Sequence, residues 1–202
     1  MLNVFARVHV DRVTVPVARW LVARGVLPDT VTVAGTLGSI AAALWFLPRG
    51  ELFAAAVVIT VFVLFDLLDG AMARVRGRST PFGAVLDSTC DRAVDGVLFA
   101  CLAWWALGAG EQRPVAVAAL VCLVAGQLVS YVKARAEGAG LSADVGLVER
   151  AERLIIALVG TGLEGLGVPY ALAVGLWLLA AASVWTFGQR LVEVHRRAQD
   201  AA

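Results

Sequence analysis

The run LFAAAVVITVFVLF at positions 52–65 contains no charged residue and one polar one, Thr60. A helix this apolar has no face to give to water, so it is buried on all sides or it crosses a bilayer. The chain then breaks its own pattern: DLLDGAMARVRGRSTPFGAVLDSTCD, at 66–91, places Asp66, Asp69, Asp87 and Asp91 directly beside that run. Comparable apolar stretches fall at 31–48, 52–73, 83–107, 114–135, 153–167 and 169–190, each near the roughly 20 residues that a bilayer core of about 30 Å requires. With 60% hydrophobic and 16% charged residues and a mean hydropathy of +0.82, the composition excludes an ordinary soluble globule. The expected fold is all-α: a polytopic membrane protein with six transmembrane helices in a single membrane-embedded domain over 1–202. The fifth span is the weakest, because LIIALVGTGLEGLG is short, glycine-rich and carries Glu164.

Orientation follows from the basic residues. Arg7, Arg12, Arg19 and Arg24 precede the first span; Arg74, Arg76, Arg78 and Arg92 lie around the second connection; Lys133, Arg135, Arg150 and Arg153 lie around the fourth; Arg190, Arg196 and Arg197 follow the sixth span. Only Arg49 and Arg113 fall on the other side. The positive-inside rule therefore puts both termini in the cytoplasm, in a multi-pass arrangement across the cell's inner (plasma) membrane. Residues 1–25 mix Phe5, Val8, Trp20 and Leu21 with Arg7, Arg12 and Arg19 and are interrupted by Pro16. They read as a juxtamembrane amphipathic helix, or as a charged flank that sets topology. The same segment has no uninterrupted apolar region of the signal-peptide kind, so none is expected. A net charge of +1 excludes a nucleic-acid partner that would need many basic contacts. Cys90, Cys101 and Cys122 are odd in number and lie in apolar segments, so they are read as packing residues rather than disulfides or zinc ligands. His9 and His195 have no ligand spacing.

Carboxylates near a membrane need an explanation, since each costs about 2.5–3.5 kcal/mol at the bilayer centre on insertion scales. Asp66 and Asp69 are three apart, and Asp87 and Asp91 four apart; either spacing puts a pair on one helix face. Two such faces on antiparallel neighbours gather hard oxygen ligands suited to Mg²⁺ or Mn²⁺. The alternative is that each aspartate pairs with Arg74, Arg76, Arg78 or Arg92. Gly70 and Ala73 leave a smooth surface where a phosphate can approach the backbone, and Arg74 can fork onto its oxygens. Thr80 and Pro81 read as the N-cap and first position of the third span, which puts Gly83 in an anion-favouring first turn. Small residues here also serve helix packing alone.

Asp66-x-x-Asp69-Gly70-x-x-Ala73-Arg74, eight residues, then Gly83-x-x-x-Asp87-x-x-x-Asp91 resembles the signature of the CDP-alcohol phosphatidyltransferase family. The resemblance implies an integral membrane enzyme with six spans that moves a phosphatidyl group from CDP-diacylglycerol to an alcohol and releases CMP. It implies two divalent metals held by Asp66, Asp69, Asp87 and Asp91, with Asp91 as general base, and a homodimer among membrane lipids. Pro28, Asp29 and Thr32 match the family's P-[DN]-x-x-T stretch and are assigned to the CDP-lipid with Gly70, Arg74, Thr80 and Gly83. Read locally, Asp29 or Thr30 equally caps a helix.

Four further pieces, LPDTVTVAGT (27–36), FGAVLDSTCDR (82–92), SYVKARAEGAGL (130–141) and ERAERLIIALVG (149–160), are similar to the branch that uses inositol 1-phosphate as acceptor and makes phosphatidylinositol phosphate. A phosphorylated acceptor needs cations. Ser130, Lys133, Arg153 and Arg190 all fall on the cytoplasmic side and suit a phosphate; the resemblance carries that role onto them, with Arg135 beside them. The same residues also suit topology anchors. Asp95, one turn past Asp91, is read as supporting the acidic face, and Glu149, Arg150 and Glu152 as pairing with one another at the surface. The rival acceptors are glycerol 3-phosphate and free inositol. From another class, a small cation transporter also uses intramembrane carboxylates, but it is expected to spread them through the membrane or to show inverted repeats, and neither is evident.

Overall fold

A computed structural model describes residues 14–77 and 80–200, with the side chain of Asp66 outside the described residues. Every regular element among the described residues is helical. They are α1 (Thr14–Ala23), α2 (Pro28–Phe46), a 3-10 turn (Leu47–Arg49), α3 (Leu52–Val63), α4 (Phe65–Arg76), α5 (Pro81–Leu107), α6 (Arg113–Gly138), α7 (Arg150–Gly165) and α8 (Ala171–Asp200). Phe5, Arg7, Val8, His9 and Arg12 of the expected interfacial segment, and Arg78, lie outside the described residues. Among the described residues, four stretches are long and apolar enough to cross a membrane: Pro28–Arg49, Leu52–Arg76, Arg113–Gly138 and Ala171–Asp200. Cys90, Cys101 and Cys122 are free thiols.

The boundaries have local causes. Pro28 opens α2 with Asp29 in its first turn, where proline's fixed φ and a carboxylate both suit the helix N-terminus. Thr80 caps α5, its Oγ1 accepting from the Gly83 amide at 2.9 Å. Glu149 and Glu152 form a reciprocal capping box that starts α7, so these acids serve the helix end. Glu164 accepts from Gln112 Nε2 (3.0 Å) and from the Leu172 amide (3.2 Å), tying the end of α7 to the starts of α6 and α8. α8 runs ten residues past the expected end of its span, and there Glu193 pairs with Arg196 and Arg197 at 3.0 and 2.5 Å, the i,i+3 and i,i+4 contacts that prolong a helix into water.

The chain divides into two compact units: the described part of Met1–Ala42 with Val58–Val94, and Ala43–Val57 with the described part of Asp95–Ala202. In the first, Ala18 of α1, Val31 of α2 and Ala71 and Met72 of α4 form a buried cluster, flanked by Leu21, Val22, Val26, Phe65 and Leu68. The second span, expected as one helix, is broken at Leu64 into α3 and α4; the Leu67 amide bonds Leu64 O at 3.1 Å, an i→i+3 turn inside the run. α2 meets this bend through a glycine. A Cβ on Gly35 would lie 2.8 Å from Phe65 Cβ and 3.0 Å from Phe62 O, and neither atom can swing aside. Gly35→Ala is therefore expected to destabilise the protein by about 1–3 kcal/mol through overpacking, despite alanine's better helix propensity. A lowered melting temperature in detergent checks this; an unchanged or raised one contradicts it. In the second unit, α8 packs on α6 and α7.

Candidate active site

Asp69, Gly70, Ala73, Gly83 and Asp87 of the signature meet in the first unit around a cavity of about 590 Å³, whereas Asp91 is not part of its lining. α2 contributes Pro28, Asp29 and Thr32, α4 contributes Asp69, Gly70, Ala73 and Arg76, and the start of α5 contributes Gly83, Ala84 and Asp87, with Leu27 and Thr80 beside them. The helical spacing explains the α4 set, since 69, 73 and 76 recur at i, i+4 and i+7 on one face. Among the described residues, a Cβ on Gly70 would meet Arg74 Nη1 at 3.7 Å, an ordinary contact. Gly83 is tighter, as a Cβ would fall 3.0 Å from Thr80 Oγ1 and 3.3 Å from Asp29 Oδ1. Glycine at 83 thus lets the Asp29 carboxylate and the Thr80 cap close on the α5 N-terminus.

Asp69 is 7% exposed and Thr32 5%. Thr32 Oγ1 donates to Asp69 Oδ2 at 2.5 Å, with Pro28 O at 3.2 Å from the same hydroxyl. The sequence placed Thr32 on the CDP-lipid; the structure shows it holding a carboxylate. Asp69 and Asp87 face the cavity from two helices, a hard-oxygen donor set that fits a divalent cation. Among the described residues no group of three or more His, Cys, Asp or Glu side chains converges at ligating distance. Asp91 lies one turn beyond Asp87 on α5, with Arg92 Nη2 at 3.9 Å from its Oδ2, the outer limit of an ion pair.

Of the expected CDP-lipid residues, Pro28, Asp29, Thr32, Gly70, Thr80 and Gly83 line the cavity, whereas Arg74 does not and Arg76 does. Sequence reasoning missed Arg76, although its i+7 register to Asp69 was the available signal.

The expected acceptor residues belong to the second unit. Lys133 Nζ reaches Asp144 Oδ1 at 2.6 Å. That contact first, and the Ser142 hydroxyl second, hold the Asp144 carboxyl below its ordinary range. Ser130 Oγ donates to Gly126 O at 3.1 Å, and Arg135 is exposed. Arg153 is 1% exposed and Arg190 4%. Arg190 donates from Nε to Val145 O (2.9 Å) and from Nη1 to Val129 O (2.8 Å). Arg153 Nη2 donates to Asp95 Oδ2 at 2.9 Å, and Arg150 Nε lies 3.7 Å from Asp95 Oδ1. Asp95, read from the sequence as backing the metal-facing acids, and Arg150, read as pairing with Glu149 and Glu152, thus meet on Arg153's side.

Residues 25–188 match the family model described as CDP-alcohol phosphatidyltransferase. The chain is 53% identical over 193 residues to the phosphatidylinositol phosphate synthase of Mycobacterium tuberculosis, covering 94% of this chain and 89% of that one. It is 49% identical over 208 residues to the protein of that name from Streptomyces avermitilis, covering 100% and 85%. Among solved structures, the Mycobacterium tuberculosis phosphatidylinositol phosphate synthase with CDP-DAG bound superposes with a TM-score of 0.86 at 54% identity, over 91% of this chain and 94% of that one. The same enzyme in complex with manganese and citrate gives a TM-score of 0.86 at 54% identity, over 90% and 88%. With its apolar helices, Asp69 and Asp87 of its signature lining one cavity and these matches along most of its length, the chain is a membrane protein belonging to the CDP-alcohol phosphatidyltransferase family.

Proposed function

We propose that the protein transfers the phosphatidyl group of CDP-diacylglycerol to the hydroxyl of inositol 1-phosphate, giving phosphatidylinositol phosphate and CMP. The observation that supports this best is the single cavity that gathers Asp69, Asp87, Gly70 and Gly83 in a chain about half identical to phosphatidylinositol phosphate synthases over nearly their whole length. Asp66, Asp69, Asp87 and Asp91 hold two divalent cations, Mg²⁺ or Mn²⁺, which when bound supply charge neutralisation of the pyrophosphate and of the departing CMP. Pro28 and Asp29 border the nucleotide, the backbone at Gly70 admits its phosphates, Gly83 brings the α5 N-terminus close to them, and Arg74 or Arg76 takes an exposed phosphate oxygen. Asp91 accepts the proton of the acceptor hydroxyl as its oxygen attacks phosphorus. Ser130, Lys133, Arg153 and Arg190, with Arg135 at the rim, take the acceptor's own phosphate.

In the membrane, α2, α3 with α4, α5, α6, α7 and α8 serve as six spans of one domain, with α1 in the cytoplasmic interface. α5 has 27 residues, about 40 Å of helix at 1.5 Å per residue. α7 has 16, about 24 Å, so it crosses only where the bilayer thins around it. An even number of spans with basic connections inside puts both termini and the aspartates in the cytoplasm of the inner membrane. Two copies form the working homodimer, a point that rests on family likeness alone.

The test is CMP release by the purified protein with CDP-diacylglycerol and Mn²⁺, offered inositol 1-phosphate, glycerol 3-phosphate, free inositol or serine. Release with inositol 1-phosphate alone is expected; release with glycerol 3-phosphate alone overturns the acceptor. Thr32 offers a separate check on the metal assignment. Thr32→Val keeps the shape but removes the hydroxyl that orients Asp69, and such an outer partner is worth about 10–100-fold in metal affinity. A Mn²⁺ titration followed by electron paramagnetic resonance is expected to show at least the lower figure; unchanged affinity contradicts it.

A further inference from the structure

Arg153 heads the large side chains that are fully buried among the described residues, at 1% exposure. Ion pairs taken from water rarely stabilise a fold more than apolar packing would, so a buried pair invites another explanation. The partner, Asp95, is itself 4% exposed and holds Arg153 Nη2 at 2.9 Å, with Arg150 Nε 3.7 Å from its other oxygen. Arg153 Nε is buried with no hydrogen-bond partner, although a guanidinium in the interior normally spends its donors.

The surroundings of that nitrogen are informative. A Cβ on Gly126 of α6 would lie 3.3 Å from Arg153 Nε and 3.7 Å from Cζ, so the guanidinium rests against α6 where α6 has no side chain. Gly126, Ser130 and Lys133 recur at i, i+4 and i+7, one stripe of α6. Ser130 Oγ is bonded to Gly126 O at 3.1 Å. The unspent donor of Arg153 therefore lies on the same helix face as the serine and lysine assigned to the acceptor phosphate.

We propose that Asp95 is a positioning residue for acceptor recognition: it clamps one nitrogen of Arg153 and so keeps the Nε donor on the Gly126–Ser130–Lys133 face for an oxygen of the acceptor's phosphate. Asp95 follows Asp91 by four residues on α5, yet its task is separate from the metal-facing acids. The inference rests on the reading of Arg153 as a phosphate ligand. It gives Asp95 a consequence that a merely structural ion pair lacks, a loss confined to one substrate.

The experiment compares Asp95→Asn, Arg153→Ala and the double variant, as full-length protein in lipid nanodiscs, for the KM of inositol 1-phosphate, the KM of CDP-diacylglycerol and Mn²⁺ affinity. Asp95→Asn is expected to raise the acceptor KM about tenfold or more, the equivalent of about 1.4 kcal/mol, with the CDP-diacylglycerol KM and Mn²⁺ affinity within about twofold. Because Asp95 acts through Arg153, the double variant is expected to be no worse than Arg153→Ala for the acceptor. Should Asp95→Asn fail to fold, Asp95→Glu keeps the charge but displaces the guanidinium by one methylene and is judged by the same split. An acceptor KM unchanged in the Asp95 variant while Arg153→Ala raises it overturns the positioning role and leaves the acceptor reading standing. A rise shared equally by both substrates also overturns it, since that marks a structural pair. An acceptor KM untouched by Arg153→Ala brings down the acceptor reading itself, and the inference with it.

Discussion

Asp91→Asn is expected to lower the rate of CMP release by about 10²–10⁴-fold while the protein stays folded and still binds CDP-diacylglycerol. The amide is nearly isosteric with the carboxylate, so packing on α5 is kept. It cannot accept the proton of the attacking hydroxyl, and it is a poorer ligand for a cation. The 3.9 Å contact to Arg92 is at the outer limit of an ion pair, so its weakening contributes little to stability. Stability and lipid affinity therefore report folding, and turnover reports chemistry. Wild-type turnover in this variant removes Asp91 as base; loss of lipid binding along with turnover shows a structural role instead.

Arg190→Ala is expected to be the most damaging single change in the second unit, and to act on both stability and acceptor use. Its guanidinium joins α8 to Val129 O on α6 and to Val145 O in the α6–α7 connection. One turn earlier, Thr186 Oγ1 accepts from the amides of Leu147 and Val148 at 3.1 and 3.3 Å, so the same face of α8 fastens the second half of that connection. Hydrogen bonds to a charged group are worth about 1.5–3 kcal/mol each, and truncation also empties the space the side chain filled. A loss of about 3–5 kcal/mol follows, read as a fall in melting temperature, with an acceptor KM that rises more than that for CDP-diacylglycerol. Arg190→Lys keeps the charge but not the two-pronged geometry and is expected to fall between. Full stability in Arg190→Ala contradicts the structural half of this expectation, and equal changes in the two KM values contradict the other.

What the sequence disclosed and what it hid divide along a physical line. Asp69 and Asp87, one from each aspartate pair, stood out because helical spacing puts i and i+3 or i+4 on one face and because charge in an apolar context is costly. Thr80 and Pro81 were legible because capping is a local affair. The break at Leu64 was not, since it occurs within an unbroken apolar run. Thr32 lines the same cavity as the other expected residues, but its bond to Asp69, 37 residues away, left no local trace. Arg153 and Arg190 were singled out from the sequence by residue type and by position relative to the apolar spans. Their present partners, Asp95 and two backbone carbonyls, leave no local trace in the sequence. Glu149 and Glu152 carried a capping-box spacing that a charge-pairing interpretation overlooked.

The aspartate assignment is tested most directly by counting Mn²⁺ bound to the nanodisc-embedded protein loaded with CDP-diacylglycerol, by electron paramagnetic resonance, in wild type and in Asp69→Asn and Asp87→Asn. Two ions per chain in the wild type, as a two-metal centre requires, with at least one lost or weakened about tenfold or more in each variant, is the expected result. No bound Mn²⁺, or binding indifferent to both substitutions, contradicts it.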